Sequence, residues 1–267
     1  TSPRVVSTMS MALGRAVQLL APTVPIVFEG GADPVSMCLV DSLAMPGRNA
    51  TGYTNDLPEE AKMLEALVDA YPRVDHAVVL VDGNEGEFGP CAPQRPLQRR
   101  PRCGDKPALQ AADVAPLMPV PALLQVARDR HIELAFVELC GAEDLGRLAR
   151  RIDVRAGTGF IVPTHYLFME HPAETVEAIT RMNAPAVYAR RQFLDSGAIL
   201  ALSPRRDARP HQRAYELVAR IVDGASPSTI PVQRPSGFDL YVNLRPITSA
   251  AHRPSLPTLR RADYIVR

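Results

Sequence analysis

The sequence predicts an α/β fold built on parallel sheets. Three observations carry that reading. Short β-branched runs alternate with segments of helical periodicity along most of the 267 residues. The runs PIVFEG (25–30), HAVVLV (76–81) and ELAFVEL (133–139) are nearly continuous in apolar residues, as in strands buried on both faces. The length is ample for one large domain or two small ones with a real core. Strand–helix alternation of this kind builds βαβ units.

The elements follow in order. Arg4 to Thr8 is a short β-branched run, and Met11 to Ala21 is helical with Ser10 placed to cap it. Pro25 to Gly30 is a strand. Asp33 to Met45 is expected as a helix, with Asp33 as cap and Pro34 at the favoured first position. Asn49 to Thr54 is a second short strand. Pro58 to Tyr71 is a helix with Leu64, Leu67, Val68 and Tyr71 on one face and Glu59 and Glu60 in its first turn. His76 to Val81 is a strand. Residues 83–119 break the rhythm. Between Pro90 and Pro107 there are five prolines and a net charge of +4 (five basic, one acidic), which reads as an irregular surface insertion.

Alternation then resumes. Val120 to His131 is helical, Glu133 to Leu139 a strand, and Ala142 to Ile152 a helix. Gly159 to Val162 is a strand, His171 to Met182 a helix, and Ala184 to Ala189 and Ala198 to Leu202 are strands. Pro210 to Asp223 is a helix closed by Gly224, and Phe238 to Leu244 is the last clear strand. The Pro-rich remainder reads as irregular.

Composition excludes several functions. The formal charge of +1 gives no field for nucleic acid or an anionic membrane surface. Trp is absent and aromatics make up 5 %, so platforms for stacking bases are few. No apolar window reaches the ~18 residues of a membrane span, and no secretion leader is visible. Cys38 and Cys140 fall in a helical pattern and at a strand end and read as buried small hydrophobes, whereas Cys91 and Cys103 flank a loop where they could pair.

Catalytic motifs are missing: there is no phosphate loop and no nucleophile elbow. Gly157-Thr158-Gly159 precedes a strand instead of following one. His165 and His171 are six apart, off the i, i+4 spacing of a zinc pair, so no metal or cofactor is expected. Ligands of parallel α/β sheets sit outside the carboxyl ends of the strands. That directs attention to Ser10, Asp33, Thr164, His165, Tyr188, Arg190, Arg191 and Ser203. Ser10 either caps its helix or holds a carboxylate on free N–H groups. Asp33 is either an N-cap or a carboxylate facing a cleft. Arg190 and Arg191 are either solvated or placed to clamp a carboxylate in bidentate fashion.

Four runs carry a family likeness. PIVFEGGADPVSMCLVDSLAMPGRNATGYT (25–54) resembles the strand–DPV–helix–"PG-N-TG" signature of bacterial ABC-transporter substrate-binding proteins of the tryptophan/tyrosine-binding type. APAVYARRQFLDSGAILALS (184–203), ARIVDGASPSTIPVQRPSGFDLYVNLRPITSA (219–250) and LRRADYIVR (259–267) resemble later segments of the same family, in register. In this likeness Asp33, Pro34 and Val35 match "DPV", Tyr188 matches the Tyr of "PAIY", and Arg191 with Phe193 matches "REF". Ser10 lies near the family's small polar residue after a strand. Ala201, Leu202 and Ser203 stand where the family has "SYG".

The resemblance implies a two-lobed type I periplasmic-binding-protein fold with parallel sheets flanked by helices. It places residues 1–72 and 204–267 in a first lobe, incomplete at its start, and 73–203 in a second. The incomplete first lobe is expected to expose an unpaired strand edge and apolar helix faces. The implied function is extracytoplasmic solute binding without catalysis. An amino-acid-like or aromatic ligand is held in an interlobe cleft by hinge closure, with a membrane ABC permease as partner. The alternatives are a truncated or degenerate member without transport function and a ligand-sensing module of the same fold.

Overall fold

The computed structural model describes residues 3–30, 33–35, 37–55, 59–83, 120–205, 209–247 and 252–267. The insertion expected at 83–119 lies, apart from Gly83, outside the described residues. In chain order the first elements are β1 (Val6–Thr8), α1 (Met11–Leu20), β2 (Ile26–Gly30), β3 (Ala50–Thr54), α2 (Glu59–Ala70) and β4 (His76–Asp82). Then come α3 (Val120–Arg130), β5 (Glu133–Leu139), α4 (Ala142–Leu145), α5 (Leu148–Arg151), β6 (Thr158–Val162), α6 (Tyr166–Glu170) and α7 (Pro172–Thr180). The chain ends with β7 (Ala186–Tyr188), β8 (Leu200–Pro204), α8 (Pro210–Val222), β9 (Phe238–Asn243), α9 (Leu256–Arg261) and β10 (Tyr264–Val266). The α/β class with parallel sheets is therefore as expected.

The chain divides into two compact units. The first holds the described residues up to 55 together with Pro204–Gly237. Its sheet is parallel, in the order β1-β2-β3, with Val6 opposite Ile26 and Ile26 opposite Ala50. The continuous apolar run of β2 is explained by cover on both faces. Ile26 and Phe28 pack with Met11, Leu39, Val40 and Val232, and Val27 packs with Ala214, Leu217 and Ile221 of α8. Gly52 is required where it stands, because a Cβ there would lie 2.0 Å from the Phe28 carbonyl oxygen on the neighbouring strand. β1 is an edge of this sheet, and Met9, Leu13 and Leu20 are exposed beside it.

The second unit holds the described residues from 59 to 203 together with Phe238–Arg267. Its seven strands run in the order β10-β9-β8-β7-β6-β4-β5. The pairs β4–β5, β4–β6, β6–β7, β7–β8 and β9–β10 are parallel. Alternate residues of the central strands again face opposite cores. Val79, Val81, Ile161 and Val187 pack with Leu64 and Leu67 of α2 and Leu123 of α3, whereas Val78, Leu80, Phe160 and Val162 pack with Leu145, Leu148, Val176 and Ile179.

Several expectations are corrected. Residues 33–45 form turns, not a helix, among the described residues: Asp33 Oδ1 accepts from Val35 N (2.9 Å) and Cys38 has a left-handed φ of 56°. Cys38 and Cys140 are buried and half-buried, and both are disulfide-bonded, so they are not simple apolar fillers. Cys91 and Cys103 lie outside the described residues. The expected helix 142–152 is two short ones, interrupted at Gly146 and Arg147. The tail is not irregular throughout. Ser255 caps α9 by accepting from Thr258 N, and β10 pairs with β9. The apolar face of α2 packs on β6 and β7, and β9 extends the larger sheet, so both belong to the second unit.

Candidate functional site

The carboxyl ends of β6 and β7 meet the start of α2 in the second unit. After β6 the chain passes through Pro163, Thr164 and His165 into α6. That turn is fixed by Asp82 at the end of β4, whose Oδ2 accepts from Leu167 N at 3.0 Å. After β7, Ala189 N donates to the Val162 carbonyl at 3.0 Å, which holds the two strand ends together. Arg190 follows, then a 3-10 turn over Arg191–Ser196 that ends at Gly197 with φ 96°.

These segments converge on Glu59. Thr164 Oγ1 donates to Glu59 Oε1 at 2.9 Å, and Arg190 Nη1 donates to the same oxygen at 2.7 Å. Arg190 Nη1 also donates to the Ala189 carbonyl at 2.7 Å. Among the described residues, Arg190 Nε and Nη2 and Glu59 Oε2 have no hydrogen-bond partner. The edge left open on Arg190 is the side-on pair of donors that a carboxylate takes in bidentate fashion. The Arg190 side chain keeps 19 % of its exposure, whereas that of Glu59 keeps 9 %.

Burial raises the Glu59 carboxyl above the usual carboxylate range; the charge of Arg190, its hydrogen bond and that of Thr164, and the charge of His165 pull the other way and only partly offset it. His165 is buried at the N-terminal end of α6, with its ring edge-on to Phe168 at 5.9 Å.

Of the residues singled out from sequence, the structure gathers Thr164, His165 and Arg190 around Glu59. Tyr188 turns into the core, its ring 5.1 Å from that of Phe193, and burial pushes its hydroxyl well above the ordinary tyrosine value. Ser203 is buried at the end of β8. Among the described residues no hydrogen bond joins Tyr188 or Ser203 to the Glu59 cluster. Arg191 is exposed. Ser10 and Asp33 lie in the first unit, where Ser10 Oγ caps α1 by accepting from Leu13 N at 3.3 Å and Asp33 closes its own turn. In the sequence Glu59 reads only as a first-turn acid. Its partners lie 105 and 131 residues away, and no local spacing encodes them. Among the described residues no group of three His, Cys, Asp or Glu is placed to hold a metal ion.

Solved structures match nearly the whole chain. A conserved domain protein from Vibrio cholerae is 22 % identical with a TM-score of 0.74, covering 99 % of this chain and 79 % of its own. An ABC domain in complex with L-Trp from Streptococcus pneumonia is 14 % identical with a TM-score of 0.74, covering 100 % and 82 %. The ligand-free, open structure of a substrate binding protein with adhesive properties from Clostridium difficile is 17 % identical with a TM-score of 0.65, covering 98 % and 78 %. The chain has a periplasmic-binding-protein-type fold. No protein-family model and no curated protein matches the sequence.

Proposed function

We propose that the chain is the extracytoplasmic solute-binding component of an ABC importer. Its ligand is a small organic solute, amino-acid-like or aromatic, whose carboxylate sits on the open edge of Arg190. One observation carries the reading. A half-buried arginine at the carboxyl edge of a parallel sheet is pinned through Nη1 to a buried carboxylate, with Nε and Nη2 left for a planar anion. Preorganisation by Glu59 and Thr164 reduces the rotamer entropy that a free arginine would lose on binding. The hinge closure and permease docking implied by the resemblance belong to the same proposal, with binding rather than catalysis as the activity.

The disulfide-bonded state of Cys38 and Cys140 supports an oxidising, extracytoplasmic compartment. Among the described residues no helix is long and apolar enough to cross a membrane.

The test is a thermal-shift screen of amino acids and aromatic carboxylic acids. A binder present at a hundredfold its Kd adds about 2.7 kcal/mol of stability, a rise of about 5–10 °C for a chain this long. A folded sample that shifts with no carboxylate in the screen overturns the proposal.

A further inference from the structure

We propose that the outer face of α1 packs against the same face of a second copy of this chain, with the two helices antiparallel about a two-fold axis.

Helix α1, MALGRAVQLL, has two polar side chains, Arg15 and Gln18, and both are taken up by the first unit itself. Arg15 Nη1 donates to Gln18 Oε1 and to the Cys38 carbonyl, and Gln18 Nε2 donates to the Leu39 carbonyl at 2.9 Å. The inner face is buried at Met11, Gly14 and Gln18, and Met11 packs with Ile26, Phe28 and Leu39. By the ~100° step of an α-helix, Leu13, Ala16 and Leu20 stand on the opposite side. Met9 continues their row just ahead of the Ser10 cap. Met9 is 73 % exposed, Leu13 55 % and Leu20 86 %. A helix apolar on both faces is one that is covered on both.

The chemistry of the row selects its occupant. It carries no charged side chain, so it neither chooses a charged partner nor repels its own copy. Interfacial helices meet lipid with a strongly basic polar face, whereas the one basic residue of α1 is turned inward. The positions 9, 13, 16 and 20 are spaced by four, three and four residues, which is the seam of paired helices. The row also complements its own reverse. In an antiparallel pair Leu13 faces the partner's Ala16 and Met9 faces the partner's Leu20, so large meets small in the central layers. Met9, Leu13, Leu19 and Leu20 together leave roughly 500 Å² of apolar surface open, near the top of the range for a single chain. Two copies would bury about 1,000 Å², the lower bound of a specific interface, so the pair is expected to be reversible.

Sedimentation equilibrium of the full chain between about 1 and about 200 µM tests the pairing. The wild type is expected to pass from one chain mass to two and to stop there, as an isologous contact closes at two. Met9→Lys and Leu20→Glu alter side chains that stand mostly in solvent, so each variant is expected to melt as the wild type does. Each should weaken dimerisation at least about tenfold, the factor of about 1.4 kcal/mol, since symmetry changes two layers at once. Mixing the two variants should restore association. The antiparallel register sets the introduced ammonium against the introduced carboxylate in one layer and leaves the matching layer as in the wild type; a parallel pair gains nothing from mixing. A wild type that stays monomeric at about 200 µM, or grows past two chains, overturns the inference whatever the variants do. Co-sedimentation of such a monomer with phosphatidylcholine vesicles would give the face to a lipid surface instead. A folded variant that dimerises as the wild type does, or a mixture no tighter than its components, overturns it as well.

Discussion

Replacing Arg190 by Met isolates what holds the site together. The substitution keeps much of the stem's apolar contact but removes the cation from a carboxylate whose side chain is 9 % exposed. Removing one partner of a buried pair costs about 3–5 kcal/mol. Arg190 itself keeps 19 % of its side-chain exposure, so the lower end, about 3 kcal/mol, is expected at pH 8. The stranded carboxylate has an escape, since it can take up a proton. In the wild type burial already raises Glu59 above its unfolded value, and loss of Arg190 removes the largest opposing cause. The native state then binds a proton at a higher pH than the unfolded chain does. Stability linked to this group is full below the unfolded pKa and is lost as pH rises through the native one. The cost of Arg190→Met should therefore shrink by about 1.4 kcal/mol for each pH unit below the variant's native pKa. Urea unfolding at pH 8 and pH 5 measures both values. Adding Glu59→Gln to Arg190→Met should recover most of the loss at pH 8, because the uncompensated charge is gone. A cost equal at the two pH values, or below about 0.5 kcal/mol at pH 8, within the usual range for neutral surface changes, would refute the reasoning.

Two further outcomes concern the fold. Gly52→Ala should destabilise by about 3 kcal/mol or more, as overpacking against backbone does, because its new methyl would fall 2.0 Å from the Phe28 carbonyl oxygen; a soluble variant with wild-type melting would contradict that strand contact. Cys38 and Cys140 should resist alkylation in the denatured, unreduced protein and become labelled after reduction, with a lower melting temperature in the reduced sample. Peptide mapping that finds either thiol free would also remove the support for an oxidising compartment.

The sequence was most legible where burial is set by the local chain. β2, β4 and β5 are continuous apolar runs because both faces of their sheets are covered, so residues 26–30, 76–82 and 133–139 read directly as strands. Failures came where distant contacts decide. Residues 33–45 carry a candidate N-cap, a first-position Pro and helical spacing, yet they form turns: Cys38 is left-handed and its carbonyl accepts from Arg15 Nη1 (3.2 Å) and Arg48 Nη1 (3.0 Å) outside the local pattern. The short strand β10 is weak by itself and exists through pairing with β9. Helix α2 looks the same whichever sheet it covers, so its assignment to the second unit could not be read from its periodicity. At the site, Thr164, His165 and Arg190 were legible as residues after strands. Glu59 was not, because in sequence it is one of two acids stabilising a helix start, and only the fold turns it inward.

The anchoring of a ligand carboxylate by Arg190 can be measured directly. The most direct measurement is a calorimetric titration of the wild type and Arg190→Met with L-phenylalanine and with its primary amide, which lacks the carboxylate. The amide is expected to bind the wild type at least about tenfold more weakly than the acid, the factor expected from one lost charge-assisted pair. Arg190→Met is expected to abolish the difference. Equal affinity of the wild type for acid and amide, or an undiminished preference for the acid in Arg190→Met, would contradict it.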